Sequence, residues 1–414
     1  MRVLAIGNVY PPHHLGGYEV IWQGAMRHLR SEGHQARILT TQYLGRGVAP
    51  HAAEDPDVHR ELDWYWHDHV WRTMRPAQRL RLERANARIF DRHLREFRPD
   101  VITWWPLGGM SLSLIERGRR AGLPALLFVF DYWPAYGPQR DLWTRMWAPR
   151  PRAAVIAERL TGIPTRLNLS AAGRWLFCSR SMRDETLSLG LDIPDQTILQ
   201  AGVDRSYLSA PREDEAPPWR WRLLYLGRVV QQKGVRTAIE SLVQLPAEAA
   251  LRIVGEGDPD YRAELEATAR ELGVADRVRF EASYPREALV DVFRAADAVL
   301  FPVIWPEPFG LVPLEAMALG RPVVATGRGG SGDYLEDRGN ALLFEAGDAR
   351  ALAAALQTLA SDQALRGRLR AQGYETAVAH SEDAFNARAL EEMLAASRAG
   401  GQALAAARAR GQAR

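Results

Sequence analysis

Glu307 and Glu315 frame the densest chemical signal in this chain of 414 residues. Phe309, Gly310 and Pro313 lie between them, and a short apolar stretch follows. Proline has no N–H to donate and suits the first turn of a helix. Pro313 therefore places a helix start near Val312, and Gly320 reads as its stop. Phe309, Gly310 and Leu311 then fall at or just before the helix N-terminus. Free N–H groups and the positive helix end converge there, and such a place binds phosphate. Glu315 is expected in the first turn, accepting hydrogen bonds from hydroxyls beside that phosphate. Glu307 precedes the turn and reaches the far side of the same ligand. An anion cradle between two hydroxyl acceptors suits a nucleotide diphosphate sugar.

Three further segments carry candidate chemistry. Gly16 and Gly17 follow the first predicted strand and precede a helix, so the backbone there can approach a ligand closely. Taken alone, such a pair reads as a plain turn. The dinucleotide pattern G-x-G-x-x-G is absent from this loop, which argues against a nicotinamide enzyme. Gly227 and Arg228 close a later strand, with Lys233 and Gly234 just ahead of a helix. Asp131 ends a buried strand and is followed by Tyr132 and Trp133.

The 307–315 run resembles the E-x7-E motif of retaining GT-B glycosyltransferases, most closely glycosyltransferase family 4. The resemblance spans nearly the whole chain and is weakest over about 45–99 and in the tail. It implies an α/β fold of two Rossmann-like, doubly wound parallel-sheet domains facing across a cleft. It also implies transfer of a sugar from a nucleotide diphosphate donor, UDP or GDP, to an acceptor hydroxyl. Retention of anomeric configuration follows from the same likeness, with no metal and no cofactor required. Glu307 would hold the donor sugar and Glu315 the ribose. Arg228 and Lys233 would neutralise the departing diphosphate, as fixed cations do for developing negative charge. Gly16, Gly17 and the N–H groups of Phe309, Gly310 and Leu311 would complete the cradle, and Gly255 would lie near the base. The catalytic set is then Glu307, Asp131, Arg228 and Lys233.

One departure bears on the acceptor. Phe130 stands where many family members carry a histidine before the aspartate. Phenylalanine cannot move a proton, so Asp131 is left to position the acceptor hydroxyl or assist its deprotonation. His14 and Trp133 are further acceptor-side candidates. Two other readings share the same residues: a non-hydrolysing nucleotide-sugar epimerase, and a nucleotide-sugar- or glycan-binding protein that has lost transfer.

Apolar runs of strand length alternate with helical patterns, the signature of parallel sheets covered by helices. Strands are predicted at 3–6, 36–41, 101–104, 125–130 and 175–178, then at 222–226, 251–254, 278–280, 298–301 and 323–325. The charged, proline-rich stretch 210–219 divides them. The expected domains are 1–210 on the acceptor side and 219–380 on the donor side. A helix over 381–398 is expected to return to the first domain, and 399–414 is a low-complexity tail of frayed helix or disorder.

Fifty-three Lys and Arg against 50 Asp and Glu give a net charge of +3, too little to argue for a nucleic-acid partner. The single cysteine, Cys178, forms no internal disulfide and fits a reducing, cytoplasmic setting. No signal peptide or membrane span is expected, although arginines after the tryptophan-rich 64–71 stretch leave room for weak peripheral membrane contact. Asp55-Pro56-Asp57 and Asp258-Pro259-Asp260 match D-x-D but read as turns. His67-Asp68-His69 is read as structural for want of a second ligand cluster. Ten of the 13 tryptophans precede residue 210. They either fill a core or meet an acceptor, which is a glycan, a lipid-linked sugar or a small-molecule aglycone.

Overall fold

The structure is a computed structural model that describes residues 1–13, 16–44, 55–67, 70–211 and 218–412, without the side chains of 67 and 403–412. The chain forms two compact units, Met1–Leu199 with the residues from Phe385 onward, and Gln200–Ala384.

The first unit holds β1 (Arg2–Ile6), β2 (Gln35–Thr41), β3 (Val58–Leu62), β4 (Trp66–His67), β5 (Val70–Trp71), β6 (Val101–Trp104), β7 (Ala125–Val129), β8 (Arg174–Phe177) and β9 (Gln196–Ile198). Seven of them form one sheet in the order β3-β2-β1-β6-β7-β8-β9. Every pairing in that sheet is parallel. β4 and β5 form a separate antiparallel hairpin. The second unit holds β10 (Arg222–Leu226), β11 (Ala250–Val254), β12 (Val278–Glu281), β13 (Ala298–Phe301), β14 (Val323–Ala325) and β15 (Leu342–Leu343). Their sheet order is β12-β11-β10-β13-β14-β15, again all parallel.

The central strands read as unbroken apolar runs because helices cover both their faces. β6, β7 and β13 are buried at every residue. The edge strands obey a different rule. β3 (Val-His-Arg-Glu-Leu) and β9 (Gln-Thr-Ile) are polar and half-exposed, so hydrophobic periodicity does not reveal them. Both, with the two-residue β15, are additions to the predicted set.

The division between units lies at Leu199–Gln200, ahead of the expected 210–219. Hydrogen bonds explain the shift. Val203 N–H donates to His380 O, and Glu382 N–H donates to Val203 O, both at 2.8 Å. Gly202 lies so close to Ser381 that a Cβ would come within 2.1 Å of its carbonyl oxygen. Residues 200–204 are therefore zipped to the end of the second unit. The last helix, Glu382–Gln412, runs on through the stretch expected to be a frayed or disordered tail. Within the first unit, Glu392 on this helix pairs with Arg174 at 2.7 Å, and Phe385 meets the Phe130 ring edge-on.

Most tryptophans of the first unit are core. Trp22, Trp104, Trp105, Trp133, Trp143 and Trp175 are each less than 2% exposed. Among the described residues no helix is long and apolar enough to cross a membrane.

Candidate functional site

In the second unit the strand order reverses between β10 and β13, and ligands bind beyond the carboxyl ends of strands at such a point. Gly227, at φ +145°, ends β10. A single 3-10 turn, Gln231–Lys233, follows and presents Lys233. Gly234 then presses against the loop after β13: a Cβ there would lie 1.9 Å from Pro302 O, so only glycine fits. Ile304 N–H donates to Gln232 O at 3.0 Å and fastens the two loops together.

Glu307 rides on the β13 loop and is held by its backbone. It bridges to Gly329, and Gly330 N–H donates to Glu307 O at 2.6 Å. A Cβ at Gly329 would fall 2.3 Å from Glu307 N. The carboxylate receives Lys233 Nζ at 2.6 Å and Trp305 Nε1 at 3.0 Å, both on Oε2. Among the described residues, Oε1 stays open to a ligand hydroxyl. Lys233 and Glu307 are 15% and 13% exposed, so the pair is shielded yet reachable. Arg228 is exposed and makes no ion pair among the described residues.

The helix Leu311–Ala318 begins after Gly310, at φ +88°, with no side-chain cap. Its first N–H groups are therefore open to an anion. The Tyr334 hydroxyl donates to Gly310 O, and Phe309 is buried against the Tyr334 ring at 5.3 Å. These contacts fix the turn. Because the helix starts at Leu311, Glu315 is its fifth residue and lies in the second turn, correcting the expected first-turn position. Loss of water pushes the Glu315 carboxyl up to about 7; Arg286 opposes that rise and Asp204 adds to it. Arg286 and Asp204 pair at 3.0 Å. Burial raises the Tyr334 hydroxyl well above its ordinary range, and both Glu307 and Glu315 push it further. Tyr334 thus senses both carboxylates.

Gly255 has a packing explanation that needs no ligand. At φ +141° it abuts the end of β10, where a Cβ would lie 2.1 Å from Gly227 O. Trp305, Gly329, Tyr334, Arg286 and Tyr207 join the site without having been singled out in the sequence. For Gly329 a signal was there: glycines at 327, 329, 330 and 332 crowd the segment after β14. The buried Tyr207 hydroxyl, which has no hydrogen-bond partner among the described residues, also feels Glu315, although no motif marks it.

The first unit presents its own switch point, between β1 and β6. Gly17 caps the helix Tyr18–Ser31, and the Gly16 N–H donates to Glu19 Oε2 at 3.1 Å. An incoming phosphate would meet that carboxylate first. His14 lies outside the described residues. Asp131 follows β7, and its Oδ2 accepts from the Tyr136 hydroxyl at 2.8 Å. Its Oδ1 is buried with no hydrogen-bond partner among the described residues. Burial pushes this carboxyl up to about 6, against the Tyr136 hydrogen bond and the Trp133 N–H. Phe130 stacks on Tyr18 at 4.9 Å, and Tyr18 donates to Phe128 O. Phe130 is thus part of an aromatic layer. Trp133 is fully buried and stacks on Trp175 at 5.6 Å. Its ring is part of the core.

The discounted motifs also find structural roles. Asp55 and Asp57 pair with Arg30, and Asp258 caps the helix Pro259–Glu271. The side chains of 67–69 are outside the described residues.

The chain is similar to known proteins. Residues 210–376 match the family described as glycosyl transferases group 1, and residues 16–202 match the glycosyl transferase 4-like domain. The chain is 33% identical over 251 residues to the lipopolysaccharide core biosynthesis glycosyltransferase LpsE of Rhizobium meliloti, covering 56% of this chain and 69% of that one. It is 33% identical over 238 residues to the D-inositol 3-phosphate glycosyltransferase of Xylanimonas cellulosilytica, covering 54% of this chain and 55% of that one. The match therefore spans about half the length of the second relative. Sucrose-phosphate synthase from Thermosynechococcus elongatus shares the fold at a TM-score of 0.68 and 21% identity, over 95% of this chain and 99% of that one. Anabaena HepE, solved with UDP, does so at 0.68 and 18%, over 95% and 100%. The chain thus has the GT-B architecture expected from the sequence.

Proposed function

The chain belongs to the glycosyl transferases group 1, and from that premise we propose that it moves a hexosyl group from a nucleotide diphosphate sugar to an acceptor hydroxyl with retention and without a catalytic metal. The observation that carries this reading is the Lys233–Glu307 pair at the β10/β13 switch point, beside a helix N-terminus with no cap of its own. Glu307 Oε1 orients the donor sugar. Lys233, already on Oε2, turns one of its three protons to the diphosphate. Arg228 brings a full positive charge to the leaving group, where fixed cations lower the barrier most. The N–H groups at Phe309, Gly310 and Leu311 hold the phosphates, and Glu315 accepts from the ribose.

Asp131 handles the acceptor in the first unit. Its buried Oδ1, with no partner among the described residues, takes a hydrogen bond from the acceptor hydroxyl once the acceptor displaces the side chains over it. A leaving phosphate oxygen then accepts that proton on the face from which the nucleotide departs, so configuration is retained. UDP is the first base to test, since HepE binds it. The buried lone cysteine fits a cytoplasmic setting.

Thermal shifts with UDP, GDP and ADP, then with their sugars, are expected to single out one base. Transfer to an added acceptor should persist in EDTA, with one anomer in the product by NMR. An epimerised sugar from donor alone would replace this reading with the epimerase. Donor binding with no nucleoside diphosphate released in the presence of any acceptor class would replace it with a binding protein.

A further inference from the structure

A side-chain cluster in the first unit, outside the transfer residues, has the make-up of a metal site. β3 is the edge strand of its sheet. Strand alternation sends His59 and Glu61, two residues apart, to one face. Arg60 between them turns elsewhere and donates to Pro11 O at 3.0 Å. The helix Pro76–Phe97 supplies His93 to the same place. His59 Nδ1 stands 3.4 Å from Glu61 Oε1, and His93 Nε2 stands 3.3 Å from Glu61 Oε2. The three ligand atoms lie within 4.8 Å of one another.

These separations discriminate between two uses of the cluster. A charge-assisted hydrogen bond would draw the atoms to about 2.7–2.9 Å. Two ligands on one tetrahedral zinc ion, with bonds of about 2.0–2.1 Å, stand about 3.3–3.4 Å apart. Each imidazole stands at that spacing from its own Glu61 oxygen, and the three ligand atoms fall within 4.8 Å of one another, so small side-chain shifts bring them onto one ion. Two imidazoles and one carboxylate suit zinc, whereas magnesium and calcium take oxygen. The His93 side chain is 1% exposed and fixed in place, while His59 and Glu61, at 27% and 30%, leave the ion a way in. Two cations stand nearby. Arg92 contacts Glu61 Oε2, but its side chain is 43% exposed and can turn to water. Arg37 faces His93 from β2. Both oppose a dication and hold the affinity down.

We propose that His59, Glu61 and His93 bind one zinc ion, with water in the fourth position, and that the ion clamps the edge strand β3 to the helix Pro76–Phe97. The role is structural and separate from sugar transfer.

The test is thermal unfolding of the full chain, stripped with EDTA and then titrated with zinc chloride or magnesium chloride. Zinc at a hundredfold excess over its Kd should raise the melting temperature by roughly 5–10 °C. Magnesium should leave it unchanged. His59→Ala and Glu61→Gln, both at partly exposed positions, should fold and lose the zinc response. Cobalt(II) should give the intense visible bands of a four-coordinate ion in the parent and not in His59→Ala. No zinc-dependent rise, an equal rise with magnesium, or the same rise in both variants would each overturn the site.

Discussion

The surroundings of Glu307 and of Asp131 are two carboxylate sites built from different material. Glu307 is fixed by main chain: the bridge to Gly329, the bond from Gly330 N–H, and the Gly234 contact that packs one loop on the other. Asp131 is fixed by side chains: the Tyr136 hydroxyl and the surrounding aromatic layer of Phe130, Tyr18 and Trp133. The first carboxylate is paired with a cation, and the second has a buried oxygen with no partner among the described residues. A backbone-held site fixes its ligand geometry and tolerates little change. A packing-held site can be re-lined by changes in its neighbours.

That contrast can be broken or sharpened by substitution. Glu307→Ala should have the largest effect, lowering kcat about a thousandfold, the scale of losing one preorganised polar group. Nucleoside diphosphate affinity by calorimetry should hardly move; near-parental turnover would sink the assignment. Asp131→Asn should lower kcat about a hundredfold, in the range of a positioned acid–base group. Donor KM should stay put, and a loss confined to donor KM would move Asp131 out of the acceptor site.

Arg228→Ala should weaken nucleoside diphosphate binding by roughly 10- to 100-fold, the worth of a hydrogen bond to a charged group. Unchanged affinity would leave the diphosphate to Lys233 alone. The smallest effect should come from pH. Burial raises the Glu315 carboxyl from its ordinary range to about 7, so the unliganded fold favours the protonated form. Its contribution to stability is full below the ordinary carboxylate range and is lost as pH rises through about 7. Ribose binding needs the carboxylate, so nucleotide affinity should rise a few-fold as pH rises through the same window. Glu315→Gln should flatten that rise; an identical profile in the variant would detach Glu315 from the ribose.

The same contrast explains what could be read in advance. Every central strand was legible because burial on both faces demands an unbroken apolar run, as in Ala298–Phe301. Glu307, Arg228 and Lys233 were legible because glycines punctuate the loops that hold them. Tyr334 and Arg286 were not, since each comes from a distant segment and enters the site only through folding. The stacking of Trp133 was hidden for a related reason: an aromatic residue after a strand looks the same whether it faces a ligand or Trp175. The edge strand β3 escaped notice because its polar residues mimic a loop, and with it went the His59–Glu61 pair.

The sequence by itself determined the two parallel sheets, the glycine-marked loops at their carboxyl ends and the identity of the charged groups on them, because those follow from local rules of period, turn and charge. Only the tertiary structure decided which charges meet. It put Lys233 on Glu307, drew water away from Glu315 and Asp131, and brought His93 to a strand more than thirty residues away in sequence. Contact between distant segments and exclusion of solvent belong to the packed chain, and no stretch of sequence contains them.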